Sequence, residues 1–231
     1  MKAYYQHAGI TIYHGDCREI LPQVFGDVIV TDPPYGTGWV RGGGDVGEFH
    51  AKHERPDWDV FSVDWINPSY GRTWAVFCPK NRASEVGECF DKSGILFYRK
   101  TNPRPNGPDV EAIVTNFVPW AADRLEFSAY NGDSPLHPCQ KPLELMEWVI
   151  CEVSTPYDLI VDPFMGSGST LQAAKKTGRK AIGIEIEEKY CEIAAKRLSQ
   201  EVLNFTADSH EQTELLGSGP IPSGQSTESE R

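Results

Sequence analysis

The fold this sequence predicts is an open α/β sheet with helices packed against it, and three observations predict it. Short apolar runs rich in β-branched residues recur along the chain, stretches of helical periodicity lie between and after them, and 231 residues suffice for one well-buried core. The runs span 10–13, 28–31, 74–77, 95–98, 112–114, 159–161 and 181–186, giving about seven strands. Helical spacing covers 143–153 and 170–176. It is clearest over 189–203, where Tyr190, Ile193, Ala194, Arg197 and Leu198 share a face with charges opposite. Open sheets of this class bind ligands beyond the carboxyl ends of their strands, so residues just after strands carry the most functional weight.

Composition narrows the function. Apolar residues make up 39% and charged residues 24%, ordinary for a globular protein, and no apolar run approaches the roughly 20 residues of a membrane span. The first residues, Met1-Lys2-Ala3-Tyr4-Tyr5, lack the apolar stretch of a signal peptide, so no membrane association and a cytoplasmic location are expected. Six cysteines (17, 78, 89, 139, 151 and 191) lie far apart without a C-x-x-C pair, and read as reduced packing residues. His50 and His53 have ligand-like spacing but no Cys or acidic partner set, so no metal is expected.

Two stretches fit neither strand nor helix. Residues 36–58 hold six glycines among Arg41, Lys52, His53 and Arg55, a long loop of the kind that is functional or disordered. Residues 102–108 form a proline-rich basic connector. Beyond the last helix, 217–226 is rich in Gly, Ser and Pro, so 206–231 reads as a disordered tail behind a domain spanning 1–205.

The net charge of −11 opposes a nucleic-acid partner. The tail accounts for part of it, with five acids and one base. The distribution is uneven: between Arg72 and Arg104 seven bases stand against three acids, a local net of +4. Composition alone does not suggest DNA.

The chemistry lies in two constellations. Asp32-Pro33-Pro34-Tyr35 follows the strand at 28–31. Its bland reading is a strand ending in a proline turn. Its chemical reading concerns an aromatic exocyclic amine, a poor nucleophile whose lone pair is delocalised into the ring. Acceptors on its N–H groups localise that pair toward an incoming methyl carbon. The Asp32 carboxylate supplies one acceptor, and the Pro33 carbonyl, held by two residues of fixed φ, supplies the other. Tyr35 offers a face on which a flipped base can stack. The second constellation, Asp162-Pro163-Phe164-Met165-Gly166-Ser167-Gly168-Ser169-Thr170, also follows a strand and opens a helix. Glu185 ends the next strand 17 residues after Gly168, a spacing that suits hydrogen bonds to ribose hydroxyls. The third glycine of the dinucleotide fingerprint is replaced by Leu171, which favours a nucleoside without a pyrophosphate. His137-Pro138-Cys139-Gln140-Lys141-Pro142 and Gly15-Asp16-Cys17 read, on their own, as a turn before a helix and a strand end.

Together these residues resemble the DNA amino-methyltransferases, specifically the permuted β group, in which the catalytic motif precedes the cofactor motif. Asp32-Pro33-Pro34-Tyr35 is similar to the family's catalytic tetrad. Asp162, Phe164, Gly166, Ser167, Gly168 and Thr170 lie in a segment similar to its main S-adenosyl-L-methionine (SAM) motif. His137, Gln140 and Lys141 resemble the segment that meets the methionine end of SAM, Glu185 the ribose-binding acid, and Asp16 an acid near the adenine end; Asp32 lies beside the cofactor as well. The resemblance covers roughly residues 10–200. It implies a Rossmann-like SAM-methyltransferase fold, a mixed seven-stranded sheet with helices on both faces and a circularly permuted motif order. It implies SAM as methyl donor, no metal, and double-stranded DNA as partner, and it leaves room for a homodimer and an associated restriction endonuclease. The Asp-led tetrad favours adenine N6 over cytosine N4. A protein-amide methyltransferase and a catalytically silent SAM-fold module are the remaining alternatives. Departures are Cys139 and Ser169, each where Thr is common, and a short 109–137 segment where larger members carry a target-recognition region.

Overall fold

The computed structural model describes residues 1–36, 60–101, 109–117, 125–128 and 140–199. The glycine-rich stretch after Gly36, the 102–108 connector, His137 and the 206–231 tail lie outside the described residues.

The sheet has nine strands where the sequence predicts seven. In chain order these are β1 (Tyr5–His7), β2 (Ile10–His14), β3 (Val28–Thr31), β4 (Thr73–Pro79), β5 (Gly94–Lys100), β6 (Val110–Thr115), β7 (Leu125–Phe127), β8 (Leu159–Asp162) and β9 (Lys180–Glu185). Every predicted run is present: the 28–31 run coincides with β3, the 181–186 run is β9 displaced by one residue, and the others gain one to three residues. The additions, β1 and β7, are three residues each, too short to show a period of two, and they form the two edges. β1 and β2 make a hairpin closed by Ala8 and Gly9, both at positive φ (48° and 80°). Those torsions belong to a type I′ turn, but Ala-Gly lacks the Asn-Gly signature that marks such turns.

The spatial order is β1-β2-β9-β8-β3-β4-β6-β5-β7. β2, β9, β8, β3 and β4 run parallel, and β6 runs antiparallel between β4 and β5. Side-chain alternation along the central strands produces two cores. Val28 and Val30 point into one, with Ile10, Phe77, Ile113 and Ile160. Ile29 points into the other, with Trp74, Val76, Val114 and Val161. Three helices cover the first face: α3 (Leu143–Val153), α4 (Ser169–Lys176) and α5 (Glu188–Ser199). The second is covered by two short helices, α1 (Cys17–Ile20) and α2 (Ala83–Gly87), together with the buried Trp65 and Phe90. α1 and α2 are too short for periodicity to reveal. On α5, Cys191 lies on the buried stripe with Ala194 and Leu198. No described helix is long and apolar enough to cross a membrane.

β3 and β8 are neighbours, yet the chain leaves β3 for β4 on one side and β8 for β9 on the other. That is a topological switch point, where the strand ends part and leave room for a ligand. Both constellations emerge from it.

Gly168 shows how tightly the turn after β8 is set. It precedes α4 at φ 80°, and a Cβ there would stand 2.9 Å from the Ala194 Cβ of α5. Left-handed backbone and helix packing are thus enough to require glycine there. Gly168→Ala is expected to destabilise the protein by roughly 1–3 kcal/mol, with Ala194→Gly in the same chain recovering only the steric part. Urea denaturation of both variants measures this, and an unchanged midpoint for Gly168→Ala would refute it.

Candidate active site

Past β3 the chain turns through Asp32, the buried Pro33, Pro34 and Tyr35. Lys141, two residues before α3, reaches across to donate to Asp32 Oδ2 at 2.5 Å and to the Tyr35 hydroxyl at 3.3 Å. Its ammonium lies 5.1 Å from the centre of the Tyr35 ring and 5.3 Å from that of Phe77. The other carboxylate oxygen, Asp32 Oδ1, is buried and has no hydrogen-bond partner among the described residues. Burial raises the Asp32 carboxyl above its ordinary 3.8, against the pull of the Lys141 ammonium. The resemblance gives Lys141 to the cofactor's methionine end; the structure puts its ammonium on the tetrad.

The turn after β8 is organised by two buried carboxylates. Asp162 accepts from Thr31 Oγ1 at 2.7 Å, from Thr170 Oγ1 at 2.5 Å and from the Phe164 N–H at 3.0 Å. Burial still lifts it to about 6. Both its oxygens are therefore engaged in holding the turn to β3 and α4. Glu185 accepts the Gly166 N–H at 3.0 Å and the Glu187 N–H at 2.8 Å, one on each oxygen, and burial raises it to about 7. Gln140 meets the same turn, accepting from Ser167 Oγ at 3.4 Å, and Arg197 of α5 donates to the Ser167 carbonyl at 2.6 Å. Phe164 packs edge-on against Trp65, ring centres 4.8 Å apart.

Asp16 ends the loop after β2 and caps α1, accepting from the Arg18 N–H at 2.8 Å and pairing with the Arg18 guanidinium at 2.5 Å. That guanidinium holds its carboxyl below the ordinary value. The structure thus gathers Asp32, Tyr35, Gln140, Lys141, Asp162, Phe164, Gly166, Ser167, Gly168, Thr170 and Glu185 around the carboxyl ends of β3, β8 and β9. Asp16 stands at the neighbouring end of β2.

The basic strip does not form one surface. Arg72 precedes β4 and pairs with Asp158 at 2.6 Å, at the sheet end away from the tetrad. Lys80, Arg82 and Arg99 are exposed near the carboxyl ends of β4 and β5, with Lys80 over the Phe97 ring and Arg82 over that of Phe61. Lys100 turns inward to Glu111.

Glu111 is the site residue that sequence reasoning misses. It lies on β6, nearly inaccessible, and accepts from both the Tyr98 hydroxyl and the Lys100 ammonium of β5. Lys141 Nζ is 3.4 Å from its Oε2. Although burial pulls its carboxyl up, the Lys141 and Lys100 ammoniums hold it at about 2. The available signal was an acid abutting the apolar run 112–114. Among the described residues no group of three His, Cys, Asp or Glu side chains could hold a metal ion. Burial raises the Cys17, Cys78 and Cys191 thiols to about 12, so they behave as packing residues.

Comparison with known proteins places this arrangement. The N6/N4 DNA methylase family matches residues 97–196. The type II methyltransferase M2.DpnII of Streptococcus pneumoniae is 29% identical over 252 residues, covering 87% of this chain and 93% of the relative. M2.LlaDCHI of Lactococcus lactis subsp. cremoris, another type II methyltransferase, is 27% identical over 253 residues, covering 86% and 93%. Among solved structures, the M1.HpyAVI–SAM complex aligns with a TM-score of 0.57 at 28% identity, covering 81% of this chain and 99% of that one. The cytosine-N4-specific PvuII DNA methyltransferase aligns at 0.62 over 87% and 90%, but at 18% identity that likeness concerns the fold alone.

The two raised carboxyls make stability pH-dependent in a definite sense. Glu185 is lifted from 4.5 to about 7 and Asp162 from 3.8 to about 6, so the folded state holds protons that the unfolded state has released. Their contribution to stability therefore falls as pH rises, between 4.5 and 7 for Glu185 and between 3.8 and 6 for Asp162. Glu185→Gln is expected to flatten the decline in the cofactor-free protein. Urea midpoints at pH 5 and 7.5 for both proteins test this; equal declines would show that Glu185 does not titrate in that window.

Proposed function

We propose that this chain is a DNA amino-methyltransferase and that the base it methylates is adenine, at N6, with Asp32 and Pro33 as the acceptors of the target amine. The family's reaction moves a methyl group from SAM to an exocyclic amine of a DNA base. When bound, SAM supplies an electrophilic methyl carbon; its S–C bond breaks as the N–C bond forms, and sulfur keeps the electron pair.

The observation that carries the reading is the buried Asp32 Oδ1 at the switch point, which has no hydrogen-bond partner among the described residues. A buried carboxylate oxygen without a donor is costly unless a ligand provides one. The target amine is such a donor. Its N–H bonds to Asp32 and to the Pro33 carbonyl turn the nitrogen lone pair toward the methyl carbon. As the product sheds its extra proton, the Asp32 carboxylate, raised by burial, is placed to take it first. Tyr35 gives the extrahelical base a ring to stack on, and the Lys141 ammonium orients both residues from the side.

The residues after β8 and β9 fit SAM. Each Glu185 oxygen accepts one backbone N–H, which leaves a lone pair on each for a ribose hydroxyl. Gly166, Ser167 and Gly168 set the turn beside it, and Gln140 and Lys141 stand toward the tetrad. Asp162 and Thr170 position that turn by bonding each other, while Asp16 stands at the β2 end. Adenine is preferred to cytosine because the tetrad is Asp-led, as the resemblance implies. Lys80, Arg82 and Arg99 are the exposed cations placed to meet DNA phosphates on the same side of the sheet. In a chain of net −11 that binding is expected to be modest and salt-sensitive.

Incubation with labelled SAM and duplex DNA, followed by digestion to nucleosides, is expected to yield N6-methyldeoxyadenosine; N4-methyldeoxycytidine instead would overturn the base assignment. Asp32→Ala should lower the single-turnover rate by about 100- to 1000-fold without unfolding the protein, since Lys141 keeps Glu111 as partner. Tyr35→Phe should retain most of the activity, while Tyr35→Ala weakens productive base placement by roughly 1–3 kcal/mol. An Asp32→Ala protein that melts normally and methylates at the wild-type rate would remove Asp32 from the mechanism.

A further inference from the structure

The buried charges behind the tetrad extend beyond the residues that meet the base. We propose that Glu111 is a positioning residue for methyl transfer, dividing the Lys141 ammonium between itself and Asp32 so that Asp32 remains a strong acceptor for the target amine. This rests on Asp32 being that acceptor.

The geometry is a ladder of alternating charge. Lys141 Nζ lies 2.5 Å from Asp32 Oδ2 and 3.4 Å from Glu111 Oε2, with the Lys141 and Glu111 side chains only 6% and 5% exposed. Glu111 is itself fixed. Tyr98 is its cross-strand partner in the β5–β6 register, and Lys100, two residues along β5, lies on the same face. Tyr98 donates to Oε2 and Lys100 to Oε1. The four charged groups sum to zero, so the cluster can be buried without an uncompensated ion.

A lysine with Asp32 as sole counter-ion would hold that carboxylate in a full ion pair and weaken it as an acceptor. It would also be left stranded in the interior whenever Asp32 turned to a substrate. A second, anchored carboxylate removes both difficulties. Proton affinity and acceptor strength of a carboxylate rise together as its cation is drawn away. Other groups also face the pair: Tyr35 beyond β3, Cys78 on β4, Tyr98 and Lys100 on β5, and Asp162 at the end of β8. Of these, Tyr98 and Lys100 bond Glu111, Lys100 as the cation.

The signs are opposite for two substitutions, which separates electrostatic positioning from simple packing. Glu111→Gln removes the competing carboxylate, so Lys141 settles on Asp32 and the Asp32 carboxyl falls. Lys100→Met leaves Glu111 with Lys141 as its only cation among the described residues, so Lys141 is drawn from Asp32 and the Asp32 carboxyl rises. Single-turnover methylation of duplex DNA at saturating SAM, measured across pH beside thermal melts, reads this as the position of the acid limb. That limb is expected at lower pH for Glu111→Gln, with a plateau rate reduced about 10- to 100-fold, and at higher pH for Lys100→Met. Coincident acid limbs, or a limb moved upward in Glu111→Gln, would overturn the proposal whatever the melts show. If Glu111→Gln does not fold, the direction of the Lys100→Met shift decides alone. An Asp32→Ala control that keeps the wild-type rate would instead remove the acceptor role on which the proposal stands.

Discussion

The bracket that Asp162 makes across the switch point is the interaction on which the site depends. Its carboxylate accepts from Thr31, the last residue of β3, and from Thr170 in the first turn of α4. The first bond fixes where Asp32 begins; the second fixes the turn that carries Gly166 to Gly168. Two segments about 130 residues apart in sequence are thereby held in one register, and neither hydrogen bond reaches solvent. Neutral donors on a buried carboxylate do not match its lost hydration, which is why it is lifted to about 6. The junction gives up some stability to hold the tetrad and the cofactor turn at a set separation.

Most of the architecture was legible in the sequence because the central strands are buried on both faces and read as near-continuous apolar runs. Val28 to Thr31 is fully buried, and the predicted run coincides with the strand. The half-exposed edges were not legible. Tyr5-Gln6-His7 and Leu125-Glu126-Phe127 owe their strand state to hydrogen bonds with a neighbour, which no local pattern records. The same holds for the short helices α1 and α2, which exist because Ile20 and Val86 have a core to enter.

In the site the legible residues were those whose identity is dictated by chemistry and by position after a strand: Asp32, Tyr35 and Glu185. What they do to one another was not. Lys141 has the signature of a residue before a helix, and nothing local says that its ammonium crosses 109 positions to Asp32. Gly168 was legible as part of a motif, but not the packing that requires it, since Ala194 of α5 occupies the space a side chain would need. Seven bases in one stretch suggested a single basic strip. A seven-residue strand, however, carries Arg72 and Lys80 to opposite ends of the sheet, and pairing turns Lys100 inward.

The carboxylates around the site show how one acidic chain can assign different duties to the same functional group. Glu111 is as buried as Glu185, yet the first is held at about 2 and the second rises to about 7. Two ammoniums stand beside Glu111, whereas among the described residues the Glu185 carboxylate has only backbone N–H donors. A carboxylate stabilised by full positive charges is a weak acceptor and suits a fixed counter-ion. One stabilised by neutral dipoles is under-solvated and gains from any further donor, which suits a ligand's hydroxyl groups. Asp32 lies between them, with one oxygen on a shared cation and the other buried without a partner among the described residues. The cation on the first oxygen favours its charged form against burial, and the second leaves an unmet demand for a donor. That combination is what a nearly neutral aromatic amine requires of the group that must orient it.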